Sequence, residues 1–195
     1  GNSAGRGGGA FGGSLNNCTL TGNSGADSGG GAYGCTLKNC TLTGNSFGWE
    51  TFSSCGGGAS VCTLYNCTLI GNSAILSMIP GESYGGGASD CILYNCCLAS
   101  NSAVNGHGGG AAGCTLYDCT LTGNSAAGNY YGWGGDGGGA YDCTLYNCTL
   151  ADNAAASSAS FRGNGGGAYE CTLNNCTVIG NSARHGGGAC GGTLN

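Results

Sequence analysis

The stretch from Gly137 to Asn153 reads GGGAYDCTLYNCTLADN, and most of the remaining chain is a variation of it. A C-T-L-x-N-C-T-L core and a G-N-S-A tail follow most copies of the tetrapeptide GGGA. Copies of GGGA start at residues 7, 29, 56, 85, 108, 137, 165 and 186, so successive starts lie 21 to 29 residues apart. Self-similarity at a period of roughly 20–50 residues predicts a solenoid or a propeller.

Alternation within one unit decides between these two architectures. Cys143 and Leu145 are apolar and flank Thr144, and the C-T-L pattern recurs after a bend at Asn147. Alternation of period two with outward threonine is typical of strands. A propeller blade needs about 40–45 residues, which is longer than any unit of this chain. The sequence therefore predicts a coil of parallel strands.

The predicted fold class is all-β, a right-handed parallel β-helix or β-solenoid, because parallel crossovers are nearly always right-handed. We expect about three short strands per coil, in GGGAY, CTL and CTLTGN. The chain would form seven complete coils plus partial coils at both ends, all in one domain over residues 1–195.

Composition limits the partners of the chain. Only 7% of the 195 residues are charged, against about 25% in average proteins. The net charge is −5 with four basic residues, which argues against a nucleic-acid-binding groove. No apolar run approaches the roughly 18 residues of a membrane-spanning helix, so no membrane span is expected. Sixteen cysteines predict an oxidising, extracellular or cell-surface location.

Thirteen of the cysteines form two columns, one residue per coil. The first column is Cys35, Cys62, Cys91, Cys114, Cys143 and Cys171, and the second is Cys18, Cys40, Cys67, Cys96, Cys119, Cys148 and Cys176. Equivalent Cα atoms one coil apart fall within the disulfide window of about 4.4–6.8 Å, so bridges between coils are predicted. Reduced inward thiols and metal-bound thiolates are the alternatives. Cys55, Cys97 and Cys190 lie outside both columns.

No metal site and no cofactor are expected, because C-x4-C is not a usual zinc spacing.

Two columns of asparagine are predicted to form ladders, because asparagine tolerates left-handed bends and its amide can bond the coils above and below. The first ladder is Asn17, Asn39, Asn66, Asn95, Asn147 and Asn175, with Asp118 in the same column, and the second is Asn23, Asn45, Asn72, Asn101, Asn124, Asn153 and Asn181.

Length variation is confined to the segment between each G-N-S tail and the next GGGA. These insertions leave the rod at one corner, so their aromatic residues are candidate interaction residues. They are Trp49, Phe52, Tyr84, Tyr130, Tyr131, Trp133 and Phe161.

Two outward columns have alternative interpretations. A column of Tyr65, Tyr94, Tyr117 and Tyr146 suits stacking between coils, with sugar-ring binding as the alternative. The outward threonines after the cysteines suggest ice binding as a further hypothesis. Ile92 and Cys97 interrupt those columns and weaken it.

Evidence for catalysis is weak. Asp90, Asp142 and Glu170 share the column before the first cysteine, and Gly106-His107-Gly108 matches a short motif of polygalacturonases. The paired aspartates that belong with that motif are missing, and basic partners are scarce. We therefore predict no catalytic residues and a chain that is not an enzyme.

Together, GGGA and the following LxxN, as in Leu42-Thr43-Gly44-Asn45, resemble the GGAI and FxxN repeats of polymorphic outer membrane proteins. More broadly they are similar to the β-helix repeats of autotransporter-passenger adhesins. The chain differs in having leucine for phenylalanine, aromatic or small residues after GGGA, and two cysteines per coil. The resemblance implies extracellular display and adhesion, without catalytic residues.

Three functions follow as hypotheses. Gly1 to Ala4 is a repeat tail without its head, and Gly186 to Asn195 is a head without its tail, so we expect head-to-tail joining of copies into an extracellular structural filament. The alternative is an adhesin segment that binds glycans or matrix through the insertion loops. The third is a β-helix polysaccharide lyase or hydrolase.

Overall fold

The repeat folds into a parallel β-solenoid, as the alternation of period two predicts. The computed structural model describes residues 1–48, 53–75, 82–128, 135–156 and 163–195, and these residues form parallel strands and bends without a helix. Four sheets of seven or eight strands run along the rod, and a fifth sheet has three strands.

Each sheet collects the equivalent short segment of successive coils. Sheet 1 contains Ala10–Phe11, Ala32–Tyr33, Ala59–Ser60, Ala88–Ser89, Ala111–Ala112, Ala140–Tyr141, Ala168–Tyr169 and Ala189–Cys190. Sheet 2 contains Ser14–Asn16, Thr36–Lys38, Thr63–Tyr65, Ile92–Tyr94, Thr115–Tyr117, Thr144–Tyr146, Thr172–Asn174 and Thr193–Leu194. Sheet 3 contains Thr19–Thr21, Thr41–Thr43, Thr68–Ile70, Cys97–Ala99, Thr120–Thr122, Thr149–Ala151 and Thr177–Ile179.

The other two sheets lie on the side of the insertions. Sheet 4 contains Ser3–Arg6, Ser24–Ser28, Ser46–Phe47, Ser73–Ile75, Ser102–Val104, Ser125–Ala127 and Ala154–Ala156. Sheet 5 contains Ser53–Cys55, Glu82–Tyr84 and Gly106–His107.

The predicted fold class is confirmed, but the structure has four main strands per coil where the sequence indicated about three. The additional strand is the serine-alanine tail of the repeat, which follows the predicted third strand CTLTGN and was assigned to no strand in the sequence interpretation. A buried asparagine such as Asn101 separates the two segments, and Ala103 then points into the core with 0% exposure. The tail consequently pairs with its copies as sheet 4.

Strict register builds the core from columns of identical residues. Leu64 pairs with Leu37 on one side and with Leu93 on the other, and all three are fully buried. Alanine occupies the inward position of sheet 1, where Ala59 pairs with Ala32 and Ala88. Because every inward column repeats one side-chain shape, each coil packs on the next with the same contacts.

Glycine is required at the corner between sheets 4 and 1. Gly108 has a φ of 66°, in the left-handed region that favours glycine, and a Cβ there would overlap the carbonyl oxygen of Ala111. A Cβ on Gly109 would overlap the carbonyl oxygens of Ser125 and Gly138. The triplet therefore allows the backbone to pass close to two neighbouring segments of the solenoid.

The two asparagine columns have different structural roles. Asparagines of the first column are exposed and left-handed, as in Asn95 with a φ of 50°, and they bond to one another along the rod, as Asn95 Nδ2 does to Asn66 Oδ1. Those of the second column are mostly buried. Asn101 Nδ2 donates to Leu69 O and to Asn124 Oδ1, and both Asn72 N and Asn72 Nδ2 donate to Asn101 Oδ1.

The predicted disulfides are absent from the structure, which corrects the sequence interpretation of both cysteine columns. All sixteen cysteines are free thiols, and no pair lies at disulfide-bonding distance. Equivalent side chains point the same way from coils about 4.8 Å apart, whereas a disulfide needs sulfur atoms about 2.05 Å apart.

Hydrogen bonds hold each column thiol in place instead. Cys62 N donates to Cys91 Sγ at 3.3 Å, and the Cys91 thiol donates to Ser89 O at 3.1 Å. Burial also raises the pKa of Cys91, Cys114 and Cys143. A raised pKa lowers the fraction of thiolate, which is the form that reacts with oxidants and alkylating agents. Cys91, Cys114 and Cys143 are consequently protected in two ways. Hydrogen bonds with Cys35 and Cys96 lower the pKa of Cys62 and Cys67, respectively, so these two thiols are protected by burial alone.

The buried asparagine ladder is expected to contribute far more stability than the exposed one. Asn101→Ala leaves the Asn72 donors without their acceptor inside the rod, which should lower the free energy of unfolding by about 3 kcal/mol. Asn95→Gly removes an exposed side chain without straining its left-handed backbone, so a change within about 0.5 kcal/mol is expected. Urea unfolding followed by circular dichroism measures both, and equal losses would contradict the distinction.

Thiol titration tests the absence of disulfides. Protein unfolded without reductant should react with close to sixteen equivalents of a thiol reagent. Native protein should react slowly at the eleven buried cysteines. A sample that has been reduced and desalted gives the reference count. A deficit of two thiols per molecule, restored by reduction, would show one bridge.

Candidate functional site

A column of unlike residues runs along the corner where the insertions rejoin the rod. Each member immediately precedes a glycine triplet, so we name it the pre-triplet column. It consists of Arg6, Ser28, Cys55, Tyr84, His107, Asp136, Asn164 and His185. Backbone bonds hold the column in register, as when Gly85 N donates to His107 O and Gly108 N donates to Asp136 O. The insertions thus return to one fixed line on the surface.

A second column lies beside it, formed by the outward residue of each sheet 1 strand. We name it the post-triplet column. It consists of Phe11, Tyr33, Ser60, Ser89, Ala112, Tyr141, Tyr169 and Cys190. Three consecutive small residues therefore stand between aromatic ones. The missing ring volume leaves a depression in the middle of this face.

The depression is a cavity of about 330 Å³. Its lining consists of Cys55, Tyr84, Ser89, Asp90, Ala112, Gly113, Tyr141 and Asp142. Ser89 and Ala112 are buried, Tyr84 and Tyr141 are half-buried, and Asp90 and Asp142 are exposed. The cavity thus has small and aromatic residues inside and two carboxylates at its mouth.

The two carboxylates flank a glycine. Ser89 Oγ donates to Asp90 Oδ2 at 3.0 Å, and the other oxygen of Asp90 leans toward Gly113, where a Cβ would lie only 2.8 Å from it. Asp142 follows one coil after Gly113, so the two aspartates are two coils, or roughly 10 Å, apart along the rod. Glu170 continues the same column on the next coil.

His107 packs between the two tyrosines of the cavity. Its ring centroid lies 5.8 Å from that of Tyr84 and 4.4 Å from that of Tyr141. Its Nδ1 is 3.5 Å from Asp136 Oδ2, and only 6% of the residue is exposed. The imidazole therefore packs against both tyrosine rings.

Hydrogen bonds extend this support along the pre-triplet column. Asn164 donates from N and from Nδ2 to Asp136 Oδ1, each at 2.8 Å. His185 Nδ1 lies 3.0 Å from Asn164 Oδ1. A connected series from His107 to His185 thus fixes one wall of the corner.

Perturbed pKa values report the acidity and burial of this corner. Burial raises the pKa of Cys55, and the charge of Asp90 raises it further, so its thiol stays protonated. Burial, followed by the charges of Asp136 and Glu170, raises the pKa of Tyr169. The corner is therefore a region of negative potential around neutral phenol and thiol groups.

The sequence-predicted interaction residues divide into two groups. Tyr84 lies in the cavity. Trp49, Phe52, Tyr130, Tyr131, Trp133 and Phe161 lie outside the described residues. The acidic residues Asp90 and Asp142, considered above for catalysis, both line the cavity. The lining formed by described residues contains no histidine, lysine or arginine.

The outward tyrosine column packs against itself. Tyr65, Tyr94, Tyr117 and Tyr146 stack with centroids 5.0 Å apart and rings within 7° of parallel. Their faces cover one another, and Lys38 Nζ lies 5.6 Å from the first ring centroid. Flat stacking on a sugar ring therefore has little free tyrosine face available in this column.

Two signals of the cavity were missed in the sequence interpretation. The residue before each triplet forms a column, and the residue after GGGA changes from aromatic to small and back to aromatic. Both are visible once the repeats are aligned on GGGA. Cys55 also belongs to the cavity, while Cys97 and Cys190 are half-buried on sheets 3 and 1.

Comparison with known proteins does not assign this chain to a family. In the part of the chain that the structure describes, no helix is long and apolar enough to cross a membrane. No protein-family model matches this sequence, and no curated protein sequence matches it either. The structure and the repeat itself therefore establish a parallel β-solenoid of tandem units.

Proposed function

We propose that this chain is a structural β-solenoid that stacks head to tail into an extracellular filament. The stacking of identical inner columns carries the proposal. Leu116 pairs with Leu93 on one side and with Leu145 on the other, and all three are fully buried. Full burial of a leucine side chain contributes about 1.5–3 kcal/mol. A second copy of this chain offers coils of the same kind, so stacking between copies would use the contact that already joins one coil to the next.

Hydrogen bonding between coils is directional and complementary. Within the buried asparagine ladder, each backbone N–H donates to the Oδ1 of the next coil. Each coil thus offers acceptors to the coil on one side and donors to the coil on the other.

Strand pairing adds to this complementarity. Each strand of sheets 1 and 2 pairs in parallel with its copy on the neighbouring coil. Parallel strand edges favour pairing with another chain. Because the two edges of a coil differ, a contact between copies would be heterologous and open, which produces a fibre rather than a closed ring.

The extracellular location is part of the proposal. It is supported by the resemblance to polymorphic outer membrane and autotransporter-passenger repeats. Eleven of the thirteen column thiols are buried, which limits their contact with oxidants and is compatible with an oxidising compartment.

A charge at the end of the rod should prevent filament growth. Leu194→Glu places a carboxylate where the next coil would stack, and its present exposure predicts that the variant folds. Wild-type protein should form unbranched fibres in electron micrographs and concentration-dependent species in sedimentation velocity, whereas the variant should stay monomeric. The matched control Ile92→Glu introduces the same charge on the side of the rod and should still polymerise. A wild type that is monomeric at every concentration would overturn the proposal.

Glycan binding on the insertion side is the second candidate function. The observation that favours it is the aromatic cluster of Tyr84, His107 and Tyr141 beside two aspartates. Carboxylate acceptors beside a concave, partly aromatic surface are suited to the hydroxyl groups of sugars. This function is independent of end-to-end stacking.

A glycan array tests the second candidate. Tyr84→Ala should lower the signal of any bound glycan at least tenfold, because it removes one wall of the cavity. Tyr117→Ala, which removes a stacked tyrosine from sheet 2, should leave the signal unchanged. Thermal melting of both variants checks folding. Equal signals from wild type and Tyr84→Ala would contradict a role for the cavity in glycan binding.

A further inference from the structure

We infer that the outward face of sheet 3 binds ice. The inference is independent of end-to-end stacking and of glycan binding, and it concerns a face of the rod that neither proposal uses. The face consists of the first and third residues of each sheet 3 strand. Row 1 is Thr19, Thr41, Thr68, Cys97, Thr120, Thr149 and Thr177, and row 2 is Thr21, Thr43, Ile70, Ala99, Thr122, Ala151 and Ile179.

Both rows point away from the core. In the strand Thr120–Thr122, Leu121 is fully buried, whereas Thr120 is exposed and Thr122 is half-buried. The other strands of sheet 3 alternate in the same way, with the middle residue turned inward. The hydroxyl and methyl groups of the threonines therefore face solvent.

Strict register makes the rows straight. Thr41 pairs with Thr19 on one side and with Thr68 on the other, and the pairing continues to Thr177 without a register shift. Neighbours within a row are consequently about 4.8 Å apart, and the two rows are about 6.6 Å apart along the strands. The face is thus a nearly rectangular lattice of small side chains.

Hexagonal ice has repeats close to both spacings. On its prism plane, oxygen atoms recur at a distance slightly shorter than the coil spacing in one direction and slightly longer than the row spacing in the other. Threonine is β-branched and restricted at χ1, so the hydroxyl groups of one row favour a common orientation. Each hydroxyl can donate and accept a hydrogen bond. Water molecules bonded to the rows would therefore be spaced nearly as they are on the ice surface.

The composition of sheet 3 is also suited to ice. Its described strands contain no charged and no aromatic residue. By contrast, sheet 2 includes Lys38 and a stack of tyrosines, and sheet 4 includes Arg6 and Asp27. Charged side chains hold hydration shells that do not match ice, and projecting rings prevent close contact with a flat solid. Sheet 3 is free of both obstacles.

The borders of the face are low. Five of the seven bends that follow row 2 contain glycine, at Gly22, Gly44, Gly71, Gly123 and Gly180. A Cβ on Gly44 would meet no atom within 4 Å, so this bend lies open to solvent. The insertions join the rod between sheets 4 and 1, which is not a border of sheet 3. A flat solid can consequently approach the two rows along their length.

The extent of the face favours a periodic solid over a protein partner. Seven strands span roughly 29 Å, so the two rows cover on the order of 300 Å², compared with about 800 Å² per partner in a stable protein interface. A shift by one coil would blur the recognition of a discrete ligand. On ice the same shift restores the match, so repetition is an advantage.

Interruptions of the rows limit the expected activity. Cys97 is a gap in the hydroxyl groups of row 1, and row 2 contains isoleucine and alanine besides threonine. Both hydroxyl groups are present in three strands, Thr19–Thr21, Thr41–Thr43 and Thr120–Thr122. Filling the gap in row 1 should therefore strengthen ice binding.

Thermal hysteresis tests the inference on the monomeric fraction of the protein, so the result does not depend on filament formation. The interval between the melting and the freezing of a single ice crystal should widen as the protein concentration rises, and the crystal should become faceted. Serum albumin at equal mass concentration is the control. An interval no wider than that of albumin at every concentration would overturn the inference and leave the filament and glycan proposals in place.

Thr68→Lys and Thr63→Lys are a matched pair of variants within one coil. Both threonines are half-buried, and Thr68 lies in row 1 whereas Thr63 lies on sheet 2. Thr68→Lys should lower the hysteresis about tenfold, because the ammonium group would lose hydration against ice. Thr63→Lys should keep the wild-type value. Equal losses in the two variants would overturn the assignment to sheet 3.

Cys97→Thr and Ile92→Thr form a second pair, which exchanges outward side chains of similar size. Each fills an interruption in a column of threonines, on sheet 3 and on sheet 2 respectively. Cys97→Thr should raise the hysteresis, and Ile92→Thr should leave it unchanged. Thermal melting checks the folding of all four variants, and this pair carries the test if a lysine variant does not fold. An increase in Ile92→Thr alone would assign ice to sheet 2 and overturn the inference.

Discussion

In-register stacking of parallel coils about 4.8 Å apart is the constraint on which the structure depends. Every side chain meets a copy of its own column above and below, so a residue type is suitable only where it tolerates itself as a neighbour. Leucine, alanine, asparagine and tyrosine do, because they pack, hydrogen-bond or stack with their own kind. Charged residues repel their copies, which accounts for a chain with only 7% of them.

The same constraint explains why two columns of cysteine give no disulfides. Proximity of the Cα atoms satisfies one geometric requirement of a bridge, but equivalent side chains leave the backbone in the same direction. Their sulfur atoms are thus arranged in a row, each accepting an N–H from the preceding coil, as Cys91 does from Cys62. A bridge would have to turn two side chains toward each other and give up these bonds. Cysteine here is a small apolar residue that hydrogen-bonds weakly.

Sequence patterns were sufficient for the fold because repetition multiplies a weak signal. Alternation in CTL alone is three residues long, yet its recurrence on nearly every coil identified parallel strands and the inward columns. The fourth strand was harder to predict, since Ser102 to Val104 has little apolar character and depends on the buried Asn101 that precedes it. The cavity was harder still. It arises because Ser89 and Ala112 are small at the position where Tyr141 has a ring, and this difference is visible only when the repeats are aligned with one another.

Specific recognition on a solenoid has to come from interruptions of its columns. A column of identical residues offers the same surface at every coil, so a ligand can shift along it by one step at almost no cost. The post-triplet column differs, because three small residues between Tyr33 and Tyr141 mark one place on the rod. Unlike residues in the pre-triplet column, from Tyr84 through His107 to Asp136, mark the same place on the neighbouring line. Two coincident interruptions define a position along the rod, and filament growth would repeat that position once in every copy of the chain.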